Sequence, residues 1–343
     1  MTVDLASLGW DEPLRSAYRR LDHADHVPGR VARVDRGVCT VLTAAGTVRA
    51  SVAGTLVGAA AGDPAALPCA GDWVAVRAWP DRRLTLEAVL PRRTAIIRRT
   101  AGKGSVGQVL AANLDAVAVV EPVDPEPDAS RIERLLALAW ESGARPLVVL
   151  GKADLAADPR AVADQIADVA PGVTVLPTSA ERAEGLEPLR PLVAPGRTLG
   201  LLGRSGAGKS TLVNALVGAR VMATQAIRRA DGKGRHTTTH RALIPIPGGG
   251  AVLDTPGLRG IGLLDPGDGL DGAFADLADL AARCRFTDCR HDGEPGCAVQ
   301  AALDAGVLPA RRLESWRRLQ REAAFESGRR AARLKRQPRV GRG

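Results

Sequence analysis

Aromatic side chains are scarce in this sequence: five Trp, three Phe and a single Tyr make up 3% of 343 residues. That is too few to build a row of stacking platforms for unpaired bases, so any nucleic-acid contact must run through phosphates. Cysteine is scarce as well, with five in the whole chain, a number that excludes a disulfide scaffold. Three of the five, Cys284, Cys289 and Cys297, crowd into one short window, which points to metal ligation. No apolar run approaches the ~18 residues that a membrane-spanning helix needs. Residues 1–13 carry Asp4, Asp11 and Glu12 and lack the basic-then-apolar order of a secretory signal. A soluble, cytoplasmic protein with no membrane partner is expected.

The composition is 45% hydrophobic and 25% charged, which is that of a folded chain. At about 100 to 200 residues per domain, this length calls for two or three compact units. Lys and Arg exceed Asp and Glu by nine. Residues 311–343 hold twelve Lys and Arg against three Glu, a local surplus of nine that accounts for the whole. Such a tail points to a polyanionic partner bound with release of counterions; a solvated Arg-rich terminus is the plainer alternative.

Residues 1–26 show no sustained periodicity and are expected to form a loosely attached arm. Residues 27–91 consist of short β-branched runs cut by Gly and Pro, which suggests a small antiparallel barrel, OB-like or SH3-like. Residues 92–263 alternate strand and helix. Apolar runs at 116–120, 147–150, 173–176, 198–202 and 251–253 predict a parallel sheet flanked by helices. Between the first two, Ser130-Arg131-Ile132-Glu133 has the spacing of a capping box, opening a helix that stops at Gly143. Residues 264–343 are expected to form a helical metal-binding domain with a basic tail. Its last helix would present Leu313, Trp316, Gln320, Ala323 and Ala324 on one face, with Arg311, Arg317, Arg318 and Arg321 largely elsewhere.

Within the α/β region, Gly203-Arg204-Ser205-Gly206-Ala207-Gly208-Lys209-Ser210, followed by Thr211, is a complete G-x-x-x-x-G-K-S between an apolar strand and an apolar helix. Glycines let backbone N–H groups curl around phosphate oxygens, Lys209 reaches the β- and γ-phosphates, and Ser210 can ligate Mg²⁺. Asp254-Thr255-Pro256-Gly257 ends the 251–253 strand, where the carboxylate would hold the Mg²⁺ shell and the Gly257 N–H would sense a γ-phosphate. The polar segment 234–240 between them can supply a switch Thr. Guanine is selected by a carboxylate that accepts from its N1–H and N2–H₂, usually within N-K-x-D. Gly151-Lys152-Ala153-Asp154 matches except that Gly151 replaces Asn, whose loss removes a hydrogen bond of about 1 kcal/mol or is neutral. Ser179 and Ala180 resemble the small loop that contacts guanine O6. These base-reading loops precede the phosphate loop, the reverse of the ordinary order, so the domain reads as circularly permuted. All the loops belong to one sheet edge, which leaves the pocket intact under permutation. The C-terminal domain then follows the switch region, where nucleotide state could lever it.

The window Cys284-x₄-Cys289-x-His291-x₅-Cys297 is a closed Cys₃His set, suited to one structural Zn²⁺. Cys39 and Cys69 read as small core residues or free thiols. His23, His26 and His240 have no comparable neighbours.

Together, the permuted G motifs, the preceding barrel and the trailing Cys₃His set resemble the RsgA (YjeQ) family of small ribosomal subunit biogenesis GTPases, over residues 27–325. Residues 203–211, His236-Thr237-Thr238, residues 254–257 and the metal window carry the resemblance, with Gln108-Val109-Leu110-Ala111-Ala112-Asn113-Leu114-Asp115 as a family-like lead-in. It implies an OB-like barrel, a permuted P-loop GTPase domain and a helical zinc domain. It also implies GTP hydrolysis stimulated by the 30S subunit, with 16S rRNA as partner and GTP with Mg²⁺ as substrate. Thr238 is the Mg²⁺-binding Thr by family position. The residue after Asp254-x-x-Gly257 is Leu258, which cannot orient water, and the matching His of similar GTPases makes His236 the candidate for that task. A monomer is expected. Two rivals remain: a zinc-dependent rRNA-binding scaffold with a vestigial nucleotide site, and an ATPase in which Asp154 is idle.

Overall fold

The computed structural model describes residues 3–21, 25–61, 63–99, 107–222, 241–255 and 268–334. His23, switch residues 234–240 with His236, Thr238 and His240, and Gly257 and Leu258 lie outside them.

The chain opens with a docked segment rather than a loose arm. Leu5, Leu8 and Leu14 are buried, and the Trp10 ring packs 4.9 Å from that of Trp73. Helix α1 (Glu12–Arg19) is capped by Asp11, whose carboxylate accepts from the Leu14 N–H, with Pro13 in the first turn where its missing N–H costs nothing. Three leucines irregularly spaced in a turn-rich stretch leave no periodic trace in sequence, so only the tertiary contact reveals the docking.

Strands β1 (His26–Asp35), β2 (Val38–Thr43) and β3 (Gly46–Val52), helix α2 (Gly54–Ala60), and strands β4 (Trp73–Ala78) and β5 (Leu84–Val89) close a barrel in the order β1-β2-β3-β5-β4. The parallel β3–β5 pair and the helix between the third and fourth strands fit the OB arrangement. Val31, Cys39, Val41, Val74, Val76 and Leu86 fill the interior. Burial pushes the Cys39 thiol up to about 12 and that of Cys69 well above its ordinary value; both are core residues.

A hairpin of β6 (Ala95–Arg99) and β7 (Gly107–Ala112) leads into the α/β domain. There follow β8 (Ala116–Pro122), α3 (Ala129–Glu141), β9 (Arg145–Gly151), α4 (Pro159–Ala167), β10 (Thr174–Pro177), β11 (Thr198–Leu202), α5 (Lys209–Val217), β12 (Ala242–Pro245) and β13 (Ala251–Asp254). The sheet order is β10-β9-β8-β11-β13-β12, parallel except for β12, an antiparallel edge strand that the sequence reading did not anticipate. The apolar runs become strands because both faces are covered; every residue of β8 is buried.

Helix α3 is capped by Asp128, which accepts from the Arg131 N–H at 3.0 Å, and Gly143 follows its end at φ +81°. The Ser130–Glu133 capping box is therefore not formed: Ser130 is already helical and Glu133 is fully buried under a later helix. The chain continues with α6 (Asp268–Ala273), α7 (Ala275–Ala281), α8 (Ala298–Asp304) and α9 (Ala310–Leu334). The docked face of α9 is Arg312, Leu313, Ser315, Leu319 and Ala323, while Ala324 is exposed. Among the described residues no helix is long and apolar enough to cross a membrane.

Two buried arginines fasten these parts together. Arg30 of β1 donates to the Leu8 carbonyl of the N-terminal segment, to Thr198 Oγ1 (2.8 Å) at the start of β11 and to the Asn113 carbonyl (2.9 Å). Burial lowers its pKa to about 10, against the opposing fields of Asp115 and Asp72. Arg312 of α9 spans Glu133, Asp276 and two backbone carbonyls.

Candidate functional site

Because β8, β9, β10, β11 and β13 run parallel, their carboxyl ends share one edge of the sheet. The loops that follow them hold the phosphate, base and Asp254 motifs, so segments far apart in sequence are brought side by side.

The phosphate loop leaves β11 at Gly203, whose φ is +152° and where an added Cβ would stand 2.2 Å from the Val120 carbonyl oxygen. Only glycine fits so close to the neighbouring strand. Ser205 and Gly206 form an exposed rim, Ala207 is buried, Gly208 turns left-handed, and α5 starts at Lys209 with Ser210 and Thr211 half-buried in its first turn. Lys209 is 7% exposed and its Nζ donates to the carbonyls of Gly203 and Arg204, both at 2.9 Å. Burial lowers its pKa, with the fields of Asp254 and Glu121 acting the other way. The ammonium is thus parked on its own loop at the place where phosphate oxygens would bind.

Asp254 ends β13 opposite Leu201. It is 2% exposed, and its Oδ1 has no hydrogen-bond partner among the described residues. Burial pushes its carboxyl above the ordinary range, and the Lys209 charge offsets only part of that. A buried carboxylate oxygen without a donor among the described residues, within the field of Lys209 of the phosphate loop, fits a divalent cation. Next to it the Thr255 hydroxyl donates to the Leu201 carbonyl at 2.5 Å and pins the strand end.

The base-reading segment begins at the end of β9. A Cβ on Gly151 would lie 3.0 Å from the Ala207 carbonyl oxygen, so this segment abuts the phosphate loop directly. Lys152 adopts φ +58°, and the Ala153 N–H donates to the Thr178 carbonyl at 3.0 Å. Asp154 faces Ser179: that hydrogen bond, aided by the charges of Arg182 and Lys152, holds its carboxyl below the usual range. Ser179 is buried and Ala180 half-buried beside it. Asp154 is therefore an ionised acceptor at neutral pH, which recognition of guanine N1–H and N2–H₂ requires. His236, Thr238 and Gly257, assigned to water, Mg²⁺ and γ-phosphate, lie outside the described residues.

The metal window folds as its spacing implies. The ligand atoms of Cys284, Cys289, His291 and Cys297 all lie within 4.8 Å of one another. Cys284 Sγ and Cys297 Sγ are each 3.5 Å from His291 Nδ1 and 3.9 Å from each other. Tetrahedral Zn²⁺ with bonds of about 2.0–2.3 Å to N and S has donor–donor edges of about 3.5–3.8 Å, close to the separations among Cys284, His291 and Cys297, so the Cys₃His set could hold one zinc ion with all four positions taken by the protein. Local backbone supports it: Cys297 caps α8 by accepting from the Gln300 N–H (3.3 Å), His291 sits at φ +59°, and Arg317 donates to the His291 carbonyl at 2.7 Å.

Glu121, missed in the sequence reading, is fully buried at the end of β8 between the base and phosphate loops. A lone acidic residue in the apolar run 116–122 was its only signal.

A barrel of OB type, a permuted P-loop domain and a Cys₃His helical module define a circularly permuted GTPase with a zinc-type appendage. Comparison with known proteins agrees. The sequence model of the RsgA GTPase family matches residues 89–264. The chain is 55% identical over 321 residues to the small ribosomal subunit biogenesis GTPase RsgA of Streptomyces coelicolor, covering 93% of this chain and 86% of that one. It is 44% identical over 337 residues to the protein of the same name in Opitutus terrae, covering 95% and 92%. The crystal structure of YjeQ from Thermotoga maritima superposes with a TM-score of 0.63 at 26% identity, over 87% of this chain and 99% of that one. YloQ, described as a circularly permuted GTPase, shares the fold with a TM-score of 0.58 at 23% identity, over 93% and 98%. This chain belongs to the RsgA GTPase family and is a GTP hydrolase.

Proposed function

We propose that the chain acts on the small ribosomal subunit late in its maturation, hydrolysing GTP to GDP and phosphate, and that the 30S particle stimulates the reaction. The observation that carries this reading is 55% identity, over 93% of the chain, to a protein named a small ribosomal subunit biogenesis GTPase. The convergent loops support it. Lys209 leaves the carbonyls of Gly203 and Arg204 to hold the β- and γ-phosphates, and backbone N–H groups of residues 203–211 cradle them. Ser210, Asp254 and Thr238 would hold Mg²⁺, which when bound would offset negative charge on the phosphates. Asp154 accepts from guanine, with Gly151, Lys152, Ala153, Ser179 and Ala180 shaping the base pocket, and Gly257 senses the γ-phosphate. His236 orients the attacking water, since Leu258 has no polar atom to do so. The Cys₃His module holds one structural zinc, and the basic tail contacts 16S rRNA phosphates with a salt-dependent affinity. The working form is a cytoplasmic monomer.

The rRNA-binding scaffold with a vestigial nucleotide site is not favoured. The absent Asn at Gly151 motivates it, yet Asp154 retains its partner Ser179 and the base segment still abuts the phosphate loop. GTP turnover with and without purified 30S subunits tests the proposal. Slow hydrolysis alone, at least tenfold faster with subunits and abolished by Lys209→Ala, is expected. Equal rates with and without subunits reject the ribosomal role. A Lys209→Ala protein that matures subunits as the parent does returns the scaffold reading, and undiminished stimulated turnover in His236→Ala removes that residue from catalysis.

A further inference from the structure

The carboxylate of Glu121 lies among three cations, Arg131 of α3 and Arg204 and Lys209 of the phosphate loop. Strand β8, which carries it, pairs with both strands that deliver the site: Val119 with Leu202, just before the phosphate loop, and Pro122 with Gly151, which opens the base segment. On one side Arg131, in the first turn of α3, grips the fully buried carboxylate from Nη2 at 2.8 Å and from Nε at 3.2 Å to each oxygen. On the other, Arg204 Nε of the phosphate loop stands 3.7 Å from Oε1, an ion pair just beyond hydrogen-bond length. That Nε is itself buried and has no hydrogen-bond partner among the described residues. The field of Glu121 also reaches Lys209, where it favours the charged ammonium. One carboxylate therefore serves three cations, two of which belong to the phosphate loop.

Arg204 follows Gly203, and the carbonyls of these two residues hold Lys209. Any shift of the Arg204 side chain is transmitted to the backbone that positions the ammonium. Without a nearby anion, Arg204 and Lys209 would repel each other across a poorly solvated loop, and the orphaned Nε would favour a loop conformation that exposes it. We propose that Glu121 is a positioning residue of the nucleotide site: through its ion pair with Arg204 it holds the first turn of the phosphate loop in the shape that receives the β-phosphate. This rests on the GTPase reading above and names a part of the site that lies outside its motifs. Because the same loop grips GDP and GTP, the pair strengthens binding of both, and its loss is felt in KM more than in kcat.

The test is a double-mutant cycle on nucleotide binding and turnover. Glu121→Gln keeps the shape and removes the charge. It is expected to weaken binding of fluorescently labelled GDP about tenfold and to raise the KM for GTP at least fivefold more than it lowers kcat. Arg204→Ala, at a half-exposed side chain, is expected to cause a similar loss, and Glu121→Gln in that background less than twofold more. If Glu121 only fastened α3 through Arg131, its replacement would cost the same in the Arg204→Ala protein as in the parent, which overturns the inference. Unchanged GDP affinity in folded Glu121→Gln also overturns it. Should Glu121→Gln fail to fold, Arg204→Ala alone decides, since undiminished GDP binding there leaves the pair without a role. A parent protein that binds no guanine nucleotide rejects the GTPase reading itself, a distinct outcome.

Discussion

Replacing Arg312 by Met removes the centre of the joint between α9 and the rest of the molecule. The Arg312 guanidinium is 1% exposed and places all five N–H groups: Nε and Nη2 on Asp276 (2.9 and 2.7 Å), Nη1 on Glu133 and the Val169 carbonyl (both 2.9 Å), and Nη2 again on the Ala273 carbonyl (2.9 Å). Burial alone would lower its pKa, but Asp276 and Glu133 raise it above the ordinary value, so the charge is held firmly. Methionine fills most of the stem volume and supplies none of the donors. Among the described residues, the fully buried Glu133 then keeps only Ser315 at 2.5 Å and the half-exposed Arg311 at 3.4 Å. Removing one partner of a buried pair costs about 3–5 kcal/mol, and the two orphaned carbonyls overlap with that sum rather than adding in full. A loss near 4 kcal/mol is a large part of the ~5–15 kcal/mol that holds a domain folded, and corresponds to about a thousandfold rise in local opening. Hydrogen exchange on the zinc-loaded protein measures it directly: α9 amides should lose about three orders of magnitude of protection while those of β8 and β9 change little. Arg312→Lys, with three donors in place of five, should fall between. Adding Glu133→Gln to Arg312→Met should recover part of the loss by removing the uncompensated charge. Unchanged α9 protection in Arg312→Met would refute the assignment of this network as the fastening.

The parent should carry one zinc per chain by elemental analysis, and Cys297→Ser should lose it while α8 keeps its cap, because the serine hydroxyl can still accept from the Gln300 N–H; full zinc content in the variant would exclude Cys297 as a ligand. Asp254→Asn should separate stability from binding. Its carboxyl titrates above the ordinary range, so ionisation costs more in the folded chain than in the unfolded one, and the native state loses stability as pH climbs from about 4 through that raised value. The nucleotide-free variant should therefore melt higher than the parent at pH 7, with the gap closing below pH ~4, while its affinity for Mg²⁺-nucleotide falls at least tenfold. Equal melting of the two proteins at both pH values would contradict the burial argument.

The elements legible beforehand were those with a local signature. The runs at 116–120, 147–150 and 198–202 read as strands because short, continuous apolar runs, the first two rich in β-branched valine, suit a sheet covered on both faces better than a longer buried helix. Strand β12 escaped because four residues at a sheet edge carry too little pattern. The Ser130 capping box had the right spacing, yet Asp128 stands two residues earlier and takes the cap, leaving Glu133 free for α9. Ala324 looked periodic with Ala323, but the buried stripe runs through Leu319 instead.

Motif chemistry is written in the chain itself: a phosphate loop needs closely spaced glycines before Lys209, a guanine reader needs a carboxylate such as Asp154, and a closed zinc site needs four soft donors such as those at 284, 289, 291 and 297. Their shuffled order already specified a permuted domain, because the loops at one sheet edge converge whatever the order of their strands. Tertiary structure alone decided which charges are buried. Whether Arg30, Glu121, Glu133 or Arg312 faces water depends on what packs over it from distant segments, and a charge leaves water only where partners remote in sequence replace its hydration.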